Sequence, residues 1–148
     1  MNPTVELIFT VLGAAFTLLT LYGAATLSRK LFLSGLFYFS ILPIIGESMA
    51  YSADKGTVHV MVAFLFLIQL VLAIPNTIVY GPENTAAVKI TSKIAFAFLL
   101  INVAGAVFIL CLKVAVPAQF GYFHVALSLA VLYLIIRRLS SNNTVMLK

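Results

Sequence analysis

The sequence predicts an all-α integral membrane protein, a bundle of five transmembrane helices with the N-terminus outside and the C-terminus cytoplasmic. Three observations predict it. The 148 residues are 63% hydrophobic and only 9% charged, with a mean hydropathy of +1.15, whereas a water-soluble domain carries charge on about a quarter of its residues. Five apolar runs each approach the ~20 residues that an α-helix needs to cross the hydrocarbon core. The breaks between them are short and polar or carry proline, so residues 1–138 read as a single transmembrane domain followed by a polar cytoplasmic tail, 139–148.

The first run covers residues 5–27. No Lys or Arg precedes it, while a cleavable signal peptide wants a basic start and a short apolar stretch. It therefore reads as a retained span. Ser28, Arg29 and Lys30 separate it from the second run, 31–51. Residues 52–56, with Asp54 and Lys55, separate the second from the third, 57–80. Gly81, Pro82, Glu83 and Asn84 make a turn and a helix start, because proline suits the first helical turn and asparagine caps. The fourth run is 88–114. Pro117 stops it, since an unbroken helix through the fifth run, 119–136, would be far too long for a bilayer. Pro43 and Pro75 fall inside runs two and three, where each removes a backbone hydrogen bond and favours a kink.

Basic residues set the orientation. With the N-terminus outside, the inner side carries Arg29, Lys30, Lys89, Lys93, Arg137, Arg138 and Lys148, and the outer side only Lys55 and Lys113. Lys and Arg flanking membrane spans favour the cytoplasmic side. The net charge of +5 then reflects topology and contact with anionic lipid, and no nucleic-acid partner is expected. The expected location is the cell membrane, multi-pass, with short loops that suit a bacterial inner membrane. The single cysteine, Cys111, rules out an internal disulfide and a thiolate metal cage.

Each run has one small or polar stripe at steps of three and four, which is one face of a helix. In the first it is Glu6, Thr10, Gly13, Thr17, Thr20 and Ala24. In the second it is Ser40, Pro43, Glu47 and Ala50; in the third His59, Phe66, Gln69, Ala73 and Asn76. In the fourth it is Asn102, Gly105, Ala106, Ile109 and Lys113; in the fifth Gly121, His124 and Ser128. In lipid, small and polar side chains favour helix–helix contact, through close approach and interhelical hydrogen bonds. These faces should point at protein, with Gly13, Thr17, Gln69, Asn102 and Gly105 as packing positions.

With the N-terminus outside, the ionisable residues of the stripes all fall in the outer leaflet. Glu47 lies roughly 6 Å below the outer end of its helix and His124 roughly 8 Å below that of its own. Glu6, His59 and Lys113 lie at span ends, with Tyr51 at similar height. Ionisable groups inside spans are costly and usually face the bundle interior, so Glu47, His124, His59, Glu6 and Tyr51 form a candidate ligand- or ion-binding set. Two imidazoles and two carboxylates (His59, His124, Glu6, Glu47) are also donors that suit zinc, copper or non-haem iron, and paired imidazoles suit haem. No metal-ligand spacing supports this, and no cofactor is otherwise implied. Lys113 at a span end reads as a snorkelling lysine.

Neither a Gly-rich phosphate loop nor GxSxG nor HExxH occurs, so no enzymatic activity is expected. The size and the small-residue faces suggest a non-enzymatic subunit or accessory partner of a larger membrane complex, or a homo-oligomer, with an outer-leaflet polar pocket. The alternatives are a small-ligand binder, or an ion or proton transporter, using Glu47, and a redox protein holding metal or haem through His59 and His124.

Overall fold

The computed structural model describes residues 3–74, 85–112 and 116–140, with backbone alone at 85–92 and 138–140. All regular elements among them are helical: α1 (Pro3–Ala25), α2 (Arg29–Asp54), α3 (Thr57–Leu72), α4 (Thr85–Ala106), continued by a wider π-helical turn, Val107–Cys111, and α5 (Ala118–Ser140). The spans at Pro3–Ala25, Arg29–Asp54, Lys93–Cys111 and Ala118–Arg137 are long and apolar enough to cross a membrane.

Two reversals differ from expectation in their chemistry. α1 closes with Leu27 in the left-handed region (φ 57). Ser28 N–H bonds the Gly23 carbonyl at 2.9 Å and Leu27 N–H the Ala24 carbonyl at 3.3 Å, the paired bonds of a Schellman stop. Ser28 then caps α2 by accepting from Leu31 N–H. The reversal is thus complete before Arg29, and a linker of three residues suffices. At the far end of α2, Lys55 takes the left-handed position (φ 60) and bonds the Tyr51 carbonyl, although Gly56 follows it. Gly56 instead caps α3 in extended conformation, and its N–H donates to Asp54 Oδ1 at 2.7 Å.

The third span is shorter than expected. α3 ends at Leu72 with Ala73 as its C-cap, where the sequence predicts helix to residue 80. A residue preceding proline disfavours the helical region, and Pro75 follows Ile74 in the sequence. The expected kink at Pro75, like Asn76, the turn at 81–84, Lys113 and the tail 141–148, lies outside the described residues. α2 runs unbroken through Pro43.

α2 lies between α1 and α3, α5 lies between α1 and α4, and α3 and α4 touch less extensively. The helices thus form a ring in the order 3-2-1-5-4. Among the described residues, the inside of the ring holds Phe32, Leu36, Phe39, Phe66, Phe98, Leu127 and Val131, together with the buried polar residues Thr17, Thr20, Ser40, Gln69, Asn102 and His124. Leu7, Leu18, Met61, Phe64 and Leu100 are more than half exposed on the perimeter. Polar groups inside and large apolar groups outside is the arrangement that a lipid solvent selects.

The stripes account for the close approaches. Gly13, Thr17, Thr20 and Ala24 are buried on α1. A Cβ on Gly35 would lie 2.7 Å from the Thr20 nitrogen and 2.9 Å from the Phe16 carbonyl, so α1 and α2 meet backbone to backbone there. Gly13 accommodates the ring of Phe123, and Gly105 the ring of His124.

Candidate functional site

The ionisable candidates do not form one cluster. They fall into three groups, two of them at the end of the bundle that carries the start of α1 and the α2–α3 turn and one reaching into its middle.

The first group joins α1 to α5. Gln119 Nε2 donates to Glu6 Oε1 at 3.2 Å and to Thr10 Oγ1 at 3.3 Å. Glu6 is therefore held by an amide and not by a histidine or lysine of the described residues.

The second group is a buried chain across four helices. Ser40 Oγ donates to the Leu36 carbonyl at 2.7 Å. Gln69 Nε2 donates to Ser40 Oγ at 3.0 Å. Asn102 Nδ2 donates to Gln69 Oε1 and to the Phe98 carbonyl, both at 2.8 Å. His124 Nδ1 lies 3.0 Å from Asn102 Oδ1. A carbonyl can only accept, so the Leu36 and Phe98 carbonyls set the direction of every link. Asn102 must present its oxygen to His124, and His124 must be the tautomer protonated at Nδ1. Its ring packs edge-on against Phe39 at 5.1 Å, lies tilted on Phe66 at 5.3 Å, and rests against Gly105. Gln69 and Asn102 were expected as packing residues and are fully buried. His124 was expected in the ligand set, and the structure makes it the end of this internal chain. Thr17 is buried as expected, but its hydroxyl, like that of Ser128, has no partner among the described residues.

The third group sits at the α2–α3 turn. The short turn brings the third residue of α3 beside the last two turns of α2. His59 Nδ1 contacts Glu47 Oε2, and His59 Nε2 contacts Asp54 Oδ2 at 3.1 Å. Carboxylates only accept, so both bonds form together when the ring carries both protons. The side chains of Glu47 and His59 are 15% and 20% exposed, that of Asp54 63%. Glu47 and His59 are thus sheltered while Asp54 stands exposed at the tip of the turn. Lys55 Nζ lies 5.2 Å from the centre of the Tyr51 ring.

An open-sided groove of about 460 Å³ runs between α2 and α3 from this cluster, a size within the ~300–1,000 Å³ of small-molecule sites. Its turn end is lined by Glu47, Tyr51 and His59, and its deeper end by Ile44, Phe64 and Leu67. Sequence reasoning placed Glu47, His59 and Tyr51 at one height, and the structure joins them. It missed Ser48 and Ser52, which also line the groove. Their hydroxyls donate back to the Ile44 and Ser48 carbonyls, at 2.7 and 3.0 Å. The signal was legible: serines four apart on a helix bond back to the preceding turn.

The proposed metal set is not assembled. Among the described residues no three His, Cys, Asp or Glu side chains are placed to hold a metal ion. Glu6 points to Gln119, His124 to Asn102, and only Glu47 and His59 meet. They could not converge because they lie on different sides of the ring of helices.

No protein-family model matches this chain, and searches of the curated proteins and of the solved structures find no match either.

Proposed function

We propose that this is a small, non-enzymatic membrane protein that binds a membrane-partitioned small ligand in the groove between α2 and α3, with Glu47 as the recognition group. One observation carries the reading. A sheltered carboxylate, an imidazole and a phenol from two helices converge on a groove whose deeper wall is apolar. Polar side chains at membrane depth are costly unless paired or functional. The buried chain from Ser40 to His124 is paired within the bundle, whereas the Glu47 cluster opens to its surroundings.

The groove end is taken as the outer end. Arg29 and Lys30 flank the α1–α2 turn and Arg137 lies near the end of α5, all at the opposite end, and basic residues favour the cytoplasmic side. The reading as a complex subunit drew on small-residue faces free to meet a partner. Gly13, Gly35 and Gly105 meet Phe123, Thr20 and His124 of the same chain, which weakens that motive. Fixed extra chains on purification in mild detergent would restore it.

The chain has no tryptophan, so Tyr51→Trp places a single reporter at the groove. Its emission should shift when a small-molecule extract of the native membrane is added. A control reporter at Leu100→Trp, on the perimeter of α4, should not respond. Equal responses at both positions, or none at Tyr51→Trp, would sink the reading.

A further inference from the structure

The polar wall of the groove has an unusual composition of hydrogen-bonding groups. Ser48 and Ser52 give their only hydroxyl protons to the carbonyls one turn back. What they present to the groove is lone pairs. Glu47, engaged through Oε2 by His59, has no partner for Oε1 among the described residues, and an ionised carboxylate has no proton to give. Along α2 the groove is therefore lined by acceptors at positions 47, 48 and 52, with the Tyr51 hydroxyl beside them. The basic side chains nearby already have partners of their own, although His59 also lines the groove. Lys55 lies over the Tyr51 ring, and His59 is held between Glu47 and Asp54.

An acceptor wall next to a carboxylate matches a group that only donates and carries positive charge. A primary ammonium has three N–H donors and no acceptor. The groove also has direction, because Ile44, Phe64 and Leu67 replace the polar lining one to two helical turns beyond the cluster. A ligand that satisfies both ends has a donor head and an apolar body. The exposed Phe64 and Tyr51 rings add faces that attract a cation or an aryl group.

We propose that the α2–α3 groove binds a lipophilic primary amine, its ammonium on Glu47, Ser48 and Ser52 and its apolar body along Ile44, Phe64 and Leu67. This rests on the ligand-binding reading above and adds the charge and donor character of the ligand. The occupant is a free amphiphilic amine and not the head of a zwitterionic lipid. An ethanolamine lipid brings a phosphate beside its ammonium, and Glu47, Ser48 and Ser52 offer that phosphate no donor.

The full chain, reconstituted in phosphatidylcholine nanodiscs, tests this with three probes of one chain length: dodecylamine, dodecanol and dodecanoate. Native mass spectrometry reads stoichiometry and apparent affinity. The expected result is one dodecylamine per chain, with dodecanol and dodecanoate at least tenfold weaker. Glu47→Gln should bring dodecylamine down to the affinity of dodecanol, and Asp54→Asn, outside the groove lining, should change it less than threefold. If Glu47→Gln does not fold, the wild-type comparison of the three head groups still decides. Equal binding of all three would overturn the ammonium assignment and leave a ligand groove without charge selectivity. Saturable binding of dodecanoate or dodecanol alone would overturn it likewise. Loss of dodecylamine binding when phosphatidylethanolamine replaces phosphatidylcholine would overturn the free-amine source in favour of a lipid head group. No stoichiometric binding of dodecylamine would overturn the inference, and the Trp reporter at position 51 would judge the broader reading separately.

Discussion

The Asn102 side chain donates to Gln69 at 2.8 Å, joining α4 to α3, helices that otherwise touch little. Both residues are fully buried. The bond sits in the middle of a directed chain, so it ties together four helices and fixes which way each amide points. A polar group in such a place is held by its partners and destabilising without them.

Removing one partner should therefore cost more than removing both suitably. Asn102→Leu leaves Gln69 Oε1 and the His124 Nδ1 proton unpaired and should destabilise the bundle by about 1–3 kcal/mol. Combining it with Gln69→Leu should be less than additive, with a coupling of about 0.6–2 kcal/mol, the range of interhelical hydrogen bonds in membranes. Unfolding in bicelles with a steric trap, on both single variants and the double, measures the coupling. Additive losses would mean that the bond contributes nothing beyond its separate side chains.

The tautomer of His124 is a sharper test of the chain's direction. Nitrogen-15 spectra of histidine-labelled protein should show His124 protonated at Nδ1 and bare at Nε2. A ring protonated only at Nε2 would require Asn102 to turn its amide around. Asn102 would then lose its bond to the Phe98 carbonyl, and the assigned direction would be wrong.

Two glycines of α2 should respond to alanine with opposite sign. At Gly35 a Cβ meets the Thr20 and Phe16 backbone within 3.0 Å, and backbone cannot step aside as a side chain can. Gly35→Ala should lose about 1–3 kcal/mol by forcing α1 and α2 apart. At Gly46 the nearest atom, on Phe9, is 3.8 Å from the added Cβ. Gly46→Ala should gain up to about 1 kcal/mol from restricting the unfolded chain. Thermal unfolding of the two variants in one detergent gives the comparison.

Lys55 occupies a left-handed backbone position that costs a side chain other than glycine roughly 1–2 kcal/mol. Asparagine tolerates this region better and restricts the unfolded chain more than glycine does. Lys55→Asn should raise stability by up to about 1 kcal/mol, measured by the same thermal unfolding. A loss would show that the contact of Lys55 with the Tyr51 ring outweighs the backbone cost.

Much of the interior is readable in the sequence. Gly13, Thr17, Thr20 and Ala24 recur at helical spacing and are buried together. Ser40, Gln69, Asn102 and His124 each stood on the stripe of their own helix, and they meet. The grouping of the ionisable residues was not readable. Glu6, Glu47, His59 and His124 lie within a few residues of the same end of their helices, which the sequence reports as depth. Whether two residues at one depth touch depends on the order of helices around the ring, and that order is not written in any one helix. The end of α3 was misread because a hydrophobic run continues in sequence past the point where its backbone stops being helical.

By itself, then, the sequence determined that the described residues are helical, that the helices are apolar enough to cross a membrane and which faces turn inward. These follow from composition and from a 3.6-residue period, which are local properties. Only the tertiary structure decided that His124 completes an internal chain while His59 joins Glu47 at a groove. It also decided that Ser48 and Ser52 lie along that groove. The physical reason is that a hydrogen bond needs its partners within about 3 Å and in the right direction, and ring order and helix rotation, which many distant contacts set together, determine both.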